Sequence, residues 1–142
     1  MINIENKIYT LVRTAIKTQT EFANVMTMTE YVESPESFPC VVFQQEDNYT
    51  YEKTQDGTGT ENHCVAVFLC NIFATGDSKK AITEKLADLV DSVMISLKFT
   101  RTMRIVVPNV DRSVYRITLR YRAVIASGEA SGDSIVYQMY RQ

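Results

Sequence analysis

The chain has 142 residues, 45% of them apolar and 23% charged, which suits one soluble globular domain with a core of its own. The net charge is −2, no apolar run approaches bilayer length, and the charges scattered through residues 1–17 leave no signal-peptide core, so neither a membrane span nor secretion is expected. Cys40, Cys64 and Cys70 are an odd set without zinc-ligand spacing, expected as reduced thiols of a protein made in a cytoplasm.

In chain order, Asn3 to Thr18 predicts a helix. Ile4, Ile8, Leu11, Val12, Ala15 and Ile16 recur at helical spacing, Asn3 stands ready as N-cap, and Lys7, Arg13 and Lys17 lie on the polar side. Asn24 to Tyr31, rich in Thr and Met, reads as a strand. A connection punctuated by Pro35 and Pro39 leads to a second strand, Cys40 to Glu46. Asp47 to Asn62, with Gly57, Gly59 and many polar side chains, cannot bury a core face over Thr54 to Thr60. It reads as an extended loop or the tip of a long hairpin.

His63 to Phe73 is apolar on both faces and is expected in the middle of a sheet. A second helix follows, with Asp77 as expected N-cap and a buried stripe of Ile82, Leu86, Leu89, Val90, Val93 and Leu97. Glu84, Asp88 and Asp91 are expected on its outer face. Met103 to Val107 is a strand stopped by Pro108-Asn109. Arg112 to Ala126 is a long strand with Tyr115, Ile117, Leu119, Tyr121, Ala123 and Ile125 on one face and Arg112, Arg116, Thr118, Arg120 and Arg122 on the other. After a turn at Ser127 to Asp133, Ile135 to Tyr140 closes as a last strand. The expected class is α+β, a mostly antiparallel sheet with two helices packed on one face, in one domain spanning 1–142.

The small net charge hides an asymmetry. Thr20 to Asn62 holds nine acids against one base, whereas Arg101 to Arg122 holds six arginines against one acid. Cross-strand pairing inside one sheet would absorb part of it. Poles on opposite flanks would instead suit head-to-tail association of copies.

Signatures of catalysis are scarce, and no enzyme activity is expected. His63 and Cys64 are adjacent on a strand and point to opposite faces, a poor dyad. Cys64 and Cys70 share a face but lie about 20 Å apart at ~3.3 Å per residue. The glycines of Asp56-Gly-Thr-Gly-Thr60 precede no helix, so no phosphate loop forms there. No catalytic, metal or cofactor residue is assigned. The arginine strand could track phosphates, but its face lacks aromatic side chains for base stacking.

Several runs, taken in order, resemble a known group. These are Phe38-Pro39, Gln45-Glu-Asp-Asn48 followed by Tyr49-Thr-Tyr-Glu52, Glu61-Asn-His63, Leu97-Lys-Phe-Thr-Arg-Thr-Met103, Pro108-Asn109 with Asp111, Tyr115-Arg116 and Arg120-Tyr-Arg-Ala-Val-Ile125. They look like the tail-terminator proteins of long-tailed bacteriophages, and the resemblance runs from the first helix to the last strand. Two departures are Lys98, where the pattern leads one to expect a glycine and the helix is therefore expected to end without a left-handed cap, and the insert-like Ser127 to Asp133.

The resemblance implies a virion subunit of the tail or neck that forms a hexameric ring. Such a ring caps the tail-tube protein, ends its polymerisation, and joins it to a head-side connector or stopper, with DNA passing through the lumen. A head-closure, connector or tail-tube subunit is the alternative, followed by a nucleic-acid-binding module. In this frame residues 47–62 form an arm toward a neighbouring subunit, anchored by Tyr49 and Tyr51. Glu46, Asp47 and Glu52 would meet Arg112, Arg116, Arg120 and Arg122 at the subunit or partner interface.

Overall fold

A computed structural model describes residues 5–30, 37–50, 63–108, 113–128 and 135–140; for 47–50, 63–64, 126–128 and 135–140 it describes the backbone. The order is α1 (Glu5–Thr18), a 3-10 turn (Thr20–Phe22), β1 (Met26–Met28), β2 (Cys40–Thr50), β3 (His63–Ala74), α2 (Lys79–Ser96), β4 (Thr100–Val106), β5 (Tyr115–Gly128) and β6 (Ile135–Tyr140). The fold is α+β. One sheet runs β1-β2-β3-β5-β4, and β6 also pairs with β5. Among the described residues only β1 with β2 is parallel; the other pairings are antiparallel.

The expected hairpin geometry of β2 and β3 is present up to the pair Thr50↔Cys64, so Asp47–Thr50 belongs to the strand rather than to the excursion. The rest of that predicted arm, 51–62, lies outside the described residues, as do the predicted N-cap Asn3 and most of the 127–133 turn. β4 pairs with the lower half of β5 and β6 with its end, so the two share one edge of β5. Followed across the sheet, Thr27, Val41, Ile72, Ile117 and Val106 make one rung, and Met28, Val42, Asn71, Thr118 and Ile105 the next.

Both helices cover one face. Ile8, Val12 and Ile16 of α1 and Leu86, Ala87, Val90 and Met94 of α2 meet Val41, Phe43, Ala66, Phe68, Cys70, Ile72 and the odd residues 117–125 of β5. Period-two alternation in the strands and the 3.6-residue period in the helices put those side chains on facing surfaces. Phe68 sits at the centre, stacked on Phe43 at 5.2 Å and edge-on to Phe99 at 5.6 Å. A smaller apolar cluster, Cys40, Val42, Phe73 and Val114 with Met26, Met28 and Phe38, lies on the opposite face, beside the cis Phe38–Pro39 peptide.

Three helix details differ from expectation. α1 leaves Leu11 exposed. α2 is rotated: its most buried line is Thr83, Leu86, Ala87, Val90 and Met94, while Ile82, Leu89, Val93 and Leu97 pack at the margin. Thr83 can be buried because its hydroxyl bonds to the carbonyls of Lys79 and Lys80. The N-cap of α2 is Ser78 rather than Asp77, with no side-chain cap bond.

The end of α2 corrects a further expectation. Lys98 adopts φ +68, its N–H bonds to the Ile95 carbonyl at 2.8 Å, and the Phe99 N–H bonds to the Met94 carbonyl at 2.9 Å. That is a Schellman cap closed by a lysine, with Phe99 and Met94 supplying its buried apolar contact.

A candidate interaction surface

The two faces of β5 separate as the alternation requires. Tyr121 and its odd-numbered neighbours point under the helices, and Arg116, Thr118, Arg120 and Arg122 point to the other side. Asn71 of β3, fully buried, lies across from Thr118. Its Oδ1 accepts from Thr118 Oγ1 at 2.7 Å and from Arg116 Nη2 at 2.8 Å and Nε at 3.1 Å. The amide could not be reversed without driving its NH₂ group into a guanidinium. In this setting Nδ2 is buried without a hydrogen-bond partner. The Arg116 guanidinium also stands 5.3 Å from the centre of the Phe73 ring, a cation–π distance.

Further along, Arg120 Nε lies 3.1 Å from Glu46 Oε2. Its direction does not satisfy a hydrogen bond, so the contact is an ion pair. Glu46 is the residue passed over between Gln45 and Asp47 in the β2–β3 register, and it reaches across β3 to the arginine strand. Two of the predicted interface residues therefore meet within one chain, and the predicted acid–base complementarity is partly internal. The pair is 40–43% exposed on each side, where such contacts contribute about 0–1 kcal/mol. Arg122 is half-buried. Tyr51, Glu52 and Arg112 lie outside the described residues, and Asp47 and Tyr49 are described in backbone only.

On the helix-covered side, Asp91 is turned inward rather than out. Its Oδ1 accepts from the buried Tyr121 hydroxyl at 2.9 Å and pairs with Arg101 Nη1 at 2.9 Å. Burial first, then the bond to Asp91, pushes the Tyr121 hydroxyl up and holds it as a donor.

Asn71 and Asp91 were the partners that sequence reasoning missed. The one available signal for Asn71 was an amide inside an otherwise apolar strand.

Among the described residues no group of three or more His, Cys, Asp or Glu side chains is placed to hold a metal ion. The free thiols of Cys40 and Cys70 are buried. Burial pushes Cys40 up to about 11 and raises Cys70 as well, so both are neutral near pH 7. No described helix is long and apolar enough to cross a membrane.

The edges of the sheet complete the surface. β4 is an outer strand, and it exposes two large apolar side chains, Ile105 at 47% and Val106 at 51%. β1 is the outer strand at the other end. The acid-rich segment thus supplies one flank of the sheet, β1 and β2, and the arginine-rich segment the other, β5 and β4, with β3 between them. No protein-family model matches the chain, and no curated protein matches it in sequence.

Proposed function

We propose that the protein is a structural subunit of a long-tailed phage virion, a tail terminator that closes into a ring of six copies. The ring ends tail-tube growth and offers its other face to the head-side connector. The observation that carries this reading is the order of segments across the sheet. Residues 20–62, rich in acids by sequence, supply the β1–β2 flank and residues 101–122, rich in arginine, the β5–β4 flank, with Glu33, Glu36, Glu52, Asp56 and Glu61 outside the described residues. A two-fold dimer brings like surfaces together. A head-to-tail contact brings unlike ones together and, repeated with a rotation that closes, builds a ring. The ordered resemblance of the motifs quoted above supports the choice among ring-forming proteins. The mechanism is steric templating: one ring face fits the tube and the other does not propagate it.

Light scattering and two-dimensional class averages of the purified full chain test the assembly. A closed ring with the mass of six subunits is expected. A monomer at all concentrations, or a two-fold dimer, would sink the proposal. Immunogold labelling or a virion map tests the location: a position in the head shell or along the tube favours the connector or tube-subunit alternatives instead.

A further inference from the structure

We infer that the ring is joined by sheet continuation, the outer edge of β4 in one copy pairing antiparallel with the outer edge of β1 in the next. The inference rests on the ring reading and specifies its seam.

Strand direction is the first argument. Moving out from β1, which runs parallel to β2, each further strand reverses, so β4 runs opposite to β1. Copies set side by side about an axis along the strands therefore bring these edges together antiparallel, without turning a subunit over. Level is the second. Thr27 and Val106 end one rung of the sheet, and Met28 and Ile105 end the next. The edges meet with no axial offset, as a closed ring demands and a helical filament does not.

Backbone polarity is the third. The Val107 N–H bonds inward to the Arg116 carbonyl, so by alternation Val106 and Arg104 present N–H and C=O outward. The Met26 N–H bonds inward to the Pro39 carbonyl, so Thr27 presents its pair outward. Thr27 and Val106, on one rung, can exchange two hydrogen bonds.

The side chains agree on both faces. Val106 is on the helix-covered face, where Thr27 accepts from Tyr9, and Ile105 is on the face where Met28 packs. An edge strand with exposed apolar residues on both faces calls for an occupant that straddles the sheet, which a strand does and a helix does not. Arg104, exposed, stands one rung beyond Ile105, and exposed Glu30 follows Met28 in the same direction.

Val106→Pro tests the seam in the full chain. It deletes an outward donor and no bond to β5, a position where an edge strand accepts proline. Wild type is expected at the mass of a ring and the variant at the mass of a monomer, with an unchanged far-ultraviolet spectrum. A folded variant that still assembles overturns the seam and leaves the ring standing, whereas a monomeric wild type removes the ring and the seam with it.

Oxidative cross-linking of Ile105→Cys combined with Met28→Cys decides the case in which Val106→Pro fails to fold. Residues facing each other beside a hydrogen-bonded pair sit at disulfide distance. A ladder of covalent multimers is expected from the double variant and not from either single one. No ladder, or a dimer from Ile105→Cys alone, overturns the pairing.

Discussion

The helix-covered face of the sheet and the arginine-bearing face come from alternate residues of the same strands, yet they are held by different forces. Under the helices, Phe43 stacks on Phe68 and Phe99 meets it edge-on among aliphatic side chains, an arrangement that charge screening does not weaken. On the other face the strands are tied by Asn71 to Arg116 and Thr118 and by Glu46 to Arg120. The first face fixes the fold by removing apolar surface from water. The second fixes where guanidinium groups stand, and it leaves part of each exposed to whatever approaches.

That contrast can be broken in graded steps. Phe68→Ala, which empties the centre of the aromatic cluster, should lower unfolding free energy by about 3–5 kcal/mol, read as the shift of a urea midpoint. Asn71→Ala should cost about 2 kcal/mol, because it leaves the buried Thr118 hydroxyl without its acceptor and removes one acceptor from Arg116. Its loss should leave helix content unchanged while near-ultraviolet signals shift. Glu46→Gln should cost under ~1 kcal/mol and become silent at 1 M salt, since the pair is well exposed. A large, salt-insensitive loss at Glu46 would mean that the second face is held like the first.

Much of this division is visible in the residues themselves. Alternation in Tyr115 to Ile125 sorts arginines from core residues without ambiguity, because a strand has only two faces. The double-sided apolar character of His63 to Phe73 likewise places it between two neighbours, as β3 proves to be. The helices were harder. In α2 nearly every third or fourth position offers an apolar residue, so hydropathy fixes the stripe only to within a third of a turn. The small Ala87 and the self-satisfied Thr83 decide which line faces the sheet. For the same reason Asp91 reads as an outer residue in the sequence and stands inward in the fold.

The interaction surface was legible in half. Arg116, Arg120 and Glu46 could be read as interface residues, but that Asn71 holds Arg116 across 45 positions of chain, and that Glu46 meets Arg120 across 74 within one chain, only the folded register reveals. The lysine cap shows a different limit. A left-handed turn usually announces itself with glycine, and Lys98 adopts it at a cost of about 1 kcal/mol because Phe99 gains burial behind it. Lys98→Gly should accordingly raise the melting temperature by a few degrees.

One carboxylate oxygen carries a mechanical consequence. Asp91 Oδ1, on α2, holds Tyr121 of β5 and Arg101 of β4 at once. The outer strand is thereby tied to the helix layer as well as to its neighbour, so a load applied at that margin is shared between the β4–β5 ladder and α2.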